Sequence, residues 1–86
     1  MMPKQSPERL SDKLRAIREY KGWTLDQMAE AVGRTEASRR ARVYEWEQGD
    51  REPDLLTIKA YAEIAGVSTD VLIDDEATLQ LDDSEN

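Results

Sequence analysis

The spacing of apolar residues along the chain predicts a series of short amphipathic helices. The first is marked by four apolar residues at steps of four, three and three, which place them on one helical face: Leu10, Leu14, Ile17 and Tyr20. Ser6 is a suitable N-terminal cap, and Pro7 suits the first helical position. Gly22 is suited to end a helix. We therefore predict a first helix that starts at Pro7 and stops before Gly22.

Capping residues and glycines mark the second helix. Thr24 and Gln27 have the spacing of a capping box, in which each side chain satisfies a backbone amide of the other residue. This pattern predicts a helix at about residues 25–32, ended by Gly33. Its expected inner face holds Leu25, Met28, Ala29 and Val32.

The segment between Gly33 and Gly49 predicts a third helix, ending at about Gln48, whose start the pattern does not define. Thr35 and Ser38 are both suitable caps. One face of this helix holds Val43 and Trp46, with Glu47 beside them. The opposite face is small and polar, with Ala37, Ser38, Ala41, Arg42 and Glu45.

Two further helices follow, and the chain ends in an acidic segment. Asp54 is expected to cap the fourth helix, whose apolar positions are Leu55, Ile58, Tyr61, Ala62 and Ala65. Ser68 is expected to cap a short fifth helix through Ile73, and the ATLQL segment at residues 77–81 predicts at most a short strand. The domains are thus a flexible N-terminus (1–6), an all-α domain (7–74) and a disordered acidic tail (75–86).

Composition argues against an enzyme and against a metal site. The chain has 86 residues and contains neither cysteine nor histidine. It therefore lacks the usual general base at neutral pH and the commonest metal ligands. We expect no cofactor. No apolar run approaches the roughly 20 residues that a membrane span needs, and the start of the chain has no apolar signal core, so we expect a cytoplasmic protein with no membrane partner.

The distribution of charge separates an acidic end from a locally basic segment. The chain carries a net charge of −7, but residues 74–86 contain six acidic residues and no basic one. The segment from residue 34 to residue 42 has four arginines against Glu36 alone. Because binding of phosphate depends on the local field at the docking face, the overall acidity does not exclude a nucleic-acid partner.

The five predicted helices resemble the Cro and C1 repressor class of helix-turn-helix domains, also called the XRE-like family. The resemblance spans roughly residues 10–74 and is carried by the segments LRAIREYKGWTLDQMAEAVG and VYEWEQGDREPDLLTIKAYAEIAGVSTDVLI. It implies a five-helix, lambda-repressor-like fold in which the third helix, at about residues 36–48, is the recognition helix. It also implies an ion pair between Arg18 and Glu47 that ties the first helix to the third; two solvated charges are the alternative.

Two features depart from the family pattern. Leu25 stands where the family usually has a glutamine that touches phosphate or a base. The distance from Gly33 to Trp46 is about four residues longer than usual, close to one helical turn. The extra residues lengthen either the recognition helix or the turn before it, and the sequence leaves both alternatives open.

The resemblance implies that the third helix lies in the major groove of DNA while neighbouring helix ends contact phosphates. Arginine binds guanine, glutamate accepts from cytosine, and a small apolar side chain meets the methyl group of thymine. The expected base contacts are Ser38, Arg39, Arg40, Ala41, Arg42 and Glu45. The expected phosphate contacts are Thr24, Gln27, Arg34 and Arg51.

The sequence thus favours a transcriptional repressor or regulator of bacterial or phage origin, associated with the nucleoid, that binds specific double-stranded DNA. We expect a homodimer that reads two half-sites, through a surface formed by Val67, Val71, Leu72 and Ile73, although these residues are equally suited to the core. One alternative is an antitoxin whose acidic tail binds a protein partner. Another is a protein-interaction module that has lost DNA binding.

Overall fold

The computed structural model describes residues 8–81, which fold into five α-helices connected by short loops. The helices are α1 (Leu10–Lys21), α2 (Leu25–Ala31), α3 (Arg39–Gln48), α4 (Leu55–Ala65) and α5 (Thr69–Ile73). The predicted cap at Ser6 and Pro7, the flexible segment 1–6 and residues 82–86 of the tail lie outside the described residues. Within residues 8–81 no helix is long and apolar enough to cross a membrane.

One apolar core holds the helices together. Trp46 of α3 and Tyr61 of α4 meet edge to face, with ring centroids 6.3 Å apart, and both are fully buried. Helix α3 packs against α1 and α2, and α1 also packs against α4 and α5. The other buried apolar residues are Leu10, Leu14, Ile17, Met28, Ala29, Val43, Ile58, Ala62 and Leu72.

Helix α1 begins at Leu10, later than the predicted start at Pro7, and the two backbone amides immediately before it bind a carboxylate of the C-terminal segment. The carboxylate of Asp75 accepts hydrogen bonds from the backbone N–H groups of Glu8 and Arg9, at 2.8 and 2.9 Å. These hydrogen bonds, the one from Arg9 foremost, lower the pKa of Asp75. The C-terminal segment therefore binds the backbone immediately before α1.

Lys13 attaches the same C-terminal segment to α1. Its buried ammonium group donates to the backbone carbonyls of Val71, Asp74 and Ala77, at 2.6, 2.9 and 3.0 Å. Leu79 and Leu81 pack against the core. Residues 75–81, which the sequence prediction assigned to the disordered tail, thus contact the domain, and within the described residues they form no strand.

The structure settles where the extra residues before Trp46 lie. Helix α2 ends at Ala31, and Gly33 adopts a left-handed conformation with a φ of 88°. Helix α3 starts only at Arg39, with Ser38 as its N-cap residue, although the Ser38 side chain makes no capping hydrogen bond. The extra residues therefore lengthen the turn, and the predicted recognition helix from about residue 36 is corrected to Arg39–Gln48.

The structure defines the positions of two apolar residues of the last helices, Leu55 and Leu72. Leu55 is 73% exposed, because the buried residues Pro53 and Thr57 occupy the core side of the first turn of α4. Leu72, for which the sequence left a dimer surface and the core as alternatives, is fully buried in the core of the single chain. Of the other residues of that predicted surface, Ile73 is exposed, whereas Val67 and Val71 are half-buried.

Candidate nucleic-acid interface

Helices α2 and α3 and the turn between them form a helix-turn-helix unit, and the inner side of α3 anchors this unit to the core. Val43, Trp46 and Glu47 are the buried residues of α3. Gly49 ends the helix in a left-handed conformation with a φ of 82°, a geometry that residues with a side chain rarely adopt. The inner side of α3 is therefore fixed, and the opposite side faces solvent.

A buried ion pair fixes α3 against α1. Arg18 Nε lies 2.7 Å from Glu47 Oε2, and Arg18 Nη2 lies 3.0 Å from Glu47 Oε1. A third hydrogen bond joins Arg18 Nη1 to the carbonyl oxygen of Trp23, at 2.9 Å. The side chain of Glu47 is only 3% exposed. The predicted pair is formed, in the bidentate geometry that is strongest for arginine and carboxylate.

The outward side of α3 carries Arg40, Ala41 and Tyr44, all exposed, close to the exposed residue Ser38. These residues line a shallow, open groove of about 550 Å³, together with Ala37 in the turn and Leu25 at the start of α2. Within residues 8–81 the guanidinium group of Arg40 has no carboxylate partner. This side of the unit thus presents a cation beside an apolar groove.

Glu45 joins the outward side of α3 to the loop that follows it. Its Oε1 atom accepts from Arg42 Nη1 at 3.1 Å and from Arg51 Nε at 3.0 Å. Desolvation would raise the pKa of Glu45, but the hydrogen bonds from Arg51 and Arg42 outweigh it and lower the pKa below its ordinary value. Glu45, predicted to contact a base, therefore already binds two arginines of its own chain.

Two other arginines of the predicted interface are directed toward the protein. The guanidinium carbon of Arg34 lies 5.4 Å from the centre of the Trp46 ring, in cation–π geometry. Arg39 lies on the α2 side of α3, where its Nη2 is 3.6 Å from Glu30 Oε2. The base contact of Arg39 stays a prediction, and its side chain lies beside Glu30 in this structure. Arg34 has a structural contact that the sequence prediction did not include.

Thr24 and Gln27 form the predicted capping box. The hydroxyl oxygen of Thr24 accepts from the amide of Gln27 at 3.1 Å, and the side-chain oxygen of Gln27 accepts from the amide of Thr24 at 2.8 Å. Both residues are exposed. Their local role is thus to begin α2, and the Gln27 side-chain amide nitrogen remains available to a phosphate.

Tyr44 is a residue of this surface that the sequence prediction missed. Its side chain is 52% exposed, on the same side of α3 as Arg40 and Ala41. The signal was present, because at 100° per residue position 44 falls in the half of the helix that faces away from Val43. The expected outward face held only small, polar and charged residues and did not include this aromatic one.

The sequence model of the helix-turn-helix family (HTH_3) matches residues 14–72, which is most of the chain and includes all of α2, α3 and α4. This chain belongs to the helix-turn-helix family. In helix-turn-helix proteins the recognition helix lies in the major groove of DNA, and α3 is the corresponding helix of this chain.

A solved structure supports the same helix-turn-helix fold. The chain is similar to the P22 c2 repressor, in a crystal structure with the synthetic operator 9T in the presence of Tl⁺. The TM-score is 0.66 at 19% sequence identity, and the alignment covers 85% of this chain and 100% of the repressor chain. No curated protein sequence matches this helix-turn-helix chain significantly. At this identity the structural similarity establishes the fold.

Proposed function

We propose that this protein is a transcription regulator that binds specific sites in double-stranded DNA with α3 in the major groove. Membership of the helix-turn-helix family supports this function. The single observation that carries it is the outward side of α3, where the exposed Arg40, which has no carboxylate partner among residues 8–81, stands beside the small residue Ala41. A guanidinium group in this position is suited to a bidentate contact with guanine, the commonest specific contact in the major groove.

The proposed contacts divide between bases and phosphates. Arg40 and Ala41 reach base edges, with Ser38 near the start of the helix. Arg42 and Arg51, held by Glu45, are proposed to meet the sugar-phosphate backbone. The remaining phosphate contacts are proposed for Thr24, Gln27 and Arg34, the last from the exposed part of a side chain that also covers Trp46.

A homodimer that reads two half-sites is the proposed assembly, since one module of this size covers one half-site. Val67, Val71 and Ile73 are proposed to contribute to the contact between subunits, and Leu72 is excluded because it is buried within one chain. The proposed setting is the cytoplasm of a bacterium or a phage-infected cell.

Protein interaction is the second candidate function, and the internal ion pairs favour it. Arg34, Arg39, Arg42 and Arg51 each lie within 4 Å of a carboxylate of the same chain. A helix-turn-helix module that no longer binds DNA has no need of free cations, and its acidic C-terminal end would suit a basic protein such as a toxin. This candidate predicts binding to a protein and no binding to duplex DNA.

Selection of bound fragments from a pool of random duplexes tests the proposed function. We expect enrichment of one common site, arranged as two related half-sites about one DNA turn apart. The logarithm of the binding constant should then fall linearly with the logarithm of the salt concentration, because bound arginines release counterions from phosphates. Absence of both enrichment and low-salt binding, at about 50 mM salt, would contradict the proposal.

A further inference from the structure

The corner between α1 and α2, residues 20–24, carries a lysine that the proposed DNA contacts do not include. Lys21 is the last residue of α1 and is exposed. Its ammonium nitrogen lies 5.9 Å from the centre of the Tyr20 ring and 5.8 Å from the centre of the Trp23 ring, in cation–π geometry with both. No ion pair joins this nitrogen to a carboxylate among residues 8–81. The corner therefore presents a cation that two aromatic rings contact and no carboxylate neutralises.

The corner lies at the border of the surface that is proposed to face DNA. Leu25, the first residue of α2, lines the same groove as Arg40 and Ala41 of α3. Trp23 stands two positions before Leu25, and its carbonyl oxygen accepts a hydrogen bond from Arg18 at 2.9 Å. The same guanidinium group binds α3, so one side chain fixes both the corner and the recognition helix. The ammonium group beside the Trp23 ring is therefore close to the outward side of α3.

The position of the corner identifies a backbone phosphate as the group that fits its lysine. In helix-turn-helix complexes the second helix of the unit lies in the major groove, and the first helix crosses the sugar-phosphate backbone. Helix α2 is the first helix of this unit, so the chain that enters it passes close to phosphates. An ammonium group on a flexible stem binds phosphate as a point charge, and it lacks the planar pair of donors with which arginine binds guanine.

We infer that Lys21 binds a phosphate of the DNA backbone beside the start of α2. This inference rests on the proposed function and deepens it by adding a phosphate-binding residue. The three arginines that are proposed to contact phosphates are each paired with a carboxylate of the same chain, which competes with DNA for them. Lys21 has no such competitor among residues 8–81, because an aromatic ring attracts an ammonium group without neutralising its charge.

The salt dependence of binding to the selected duplex tests whether Lys21 contacts a phosphate. Each phosphate contact contributes about −0.9 to the slope of the logarithm of the binding constant against the logarithm of the salt concentration. Lys21→Gln should remove one contact, so the ratio of affinities between the unsubstituted protein and the variant should be about 3.5-fold larger at about 50 mM salt than at about 200 mM. Lys21→Arg keeps the charge and should restore the slope. Lys59→Gln removes an equal charge from an exposed lysine of α4 and should leave the slope unchanged.

Uncharged phosphates then locate the contact on the DNA. Each phosphodiester of one half-site is replaced in turn by a methylphosphonate, which carries no charge, and both duplexes are titrated with the unsubstituted protein and with Lys21→Gln. Because a general loss of structure lowers the affinity for both duplexes equally, only a direct contact removes the difference between them. We expect one phosphate per half-site whose replacement weakens binding of the unsubstituted protein and has no effect on Lys21→Gln.

The outcomes separate this inference from the function on which it rests. If no duplex is bound, the proposed function fails and the inference fails with it. If a specific duplex is bound and Lys21→Gln has the same slope as the unsubstituted protein, the function stands and the inference is overturned. If Lys59→Gln lowers the slope equally, or if every methylphosphonate affects the two proteins equally, Lys21 acts only through the net charge, and the inference is again overturned.

Discussion

The two sides of α3 both carry charged residues, and they use these charges in different ways. On the inner side, Glu47 is buried in a bidentate ion pair with Arg18. Both of its carboxylate oxygens therefore accept hydrogen bonds from within the fold. On the outer side, Glu45 holds Arg42 and Arg51 at the surface, and Arg40 has no carboxylate partner within residues 8–81. The comparison shows how one short helix separates groups that fix its position from groups that remain available to a partner.

The largest expected effect comes from breaking the ion pair between Arg18 and Glu47 on the inner side of α3. Arg18→Met removes the partner of a buried carboxylate, and the uncompensated charge of Glu47 should lower the free energy of unfolding by about 3 to 5 kcal/mol. Thermal or urea unfolding measures this change. Lys59→Met is the matched control, because the pair of Lys59 and Glu63 on α4 is exposed and should contribute at most about 0.5 kcal/mol. Equal effects of the two substitutions would show that the inner pair has no special role.

Arg34 sharpens the comparison because it has a structural contact with Trp46 and is also a proposed phosphate contact. Its contact with the Trp46 ring predicts that Arg34→Ala lowers the free energy of unfolding by about 1 kcal/mol. A residue that only contacts phosphate would leave stability unchanged and reduce the salt dependence of DNA binding. Unfolding and salt titration of the same variant distinguish the two roles. A variant of unchanged stability would contradict the structural contact.

A substitution of Glu45 tests whether this carboxylate, on the outer side of α3, restrains Arg42 and Arg51. Glu45→Gln removes the charge that Arg42 and Arg51 share, so their attraction to phosphates is no longer opposed. We expect the affinity for a random-sequence duplex to rise roughly two- to fivefold, the range of an exposed ion pair. Glu63→Gln on α4 is the control and should have a smaller effect. Weaker binding by Glu45→Gln would indicate that the carboxylate serves to position the arginines.

The smallest expected effect is that of pH on the difference in DNA affinity between Glu45→Gln and the unsubstituted protein. Hydrogen bonds from the two arginines lower the folded-state pKa of Glu45, so the carboxylate stays ionised as the pH falls from 7 to about 5. The ratio of affinities between Glu45→Gln and the unsubstituted protein should therefore be the same at both values. A ratio that approaches one at the lower pH would mean that Glu45 is protonated there and is not held by the arginines.

Local signals in the sequence predicted most of the fold. The apolar stripe with Leu14 and Ile17, the capping box of Thr24 and Gln27 and the glycine ends of the helices all act between residues a few positions apart. The start of α3 was not predictable in this way, because neither Thr35 nor Ser38 makes a side-chain cap. There the turn is defined by the left-handed Gly33 and by how α3 packs on α2.

Contacts between distant parts of the chain account for the other differences. Lys13 reads as an exposed polar residue, yet it is buried because three carbonyl groups 58 to 64 residues away accept from it. Asp75 read as part of a disordered tail, yet its partners are amides at the start of α1. At the candidate interface, the general position of the basic surface was predictable. Which arginines face outward was not, because that depends on Glu30, Glu45 and Trp46.

The salt dependence of binding to the selected duplex, with and without Arg40→Ala, tests the central claim most directly. Arg40 is exposed and unpaired within the described residues, so the substitution should leave the unfolding temperature unchanged and weaken specific binding by about 1 to 3 kcal/mol. Binding to a random-sequence duplex should change far less. Equal affinity of the two proteins for the selected duplex across the salt range would contradict the assignment of the outward side of α3 as the DNA-reading surface.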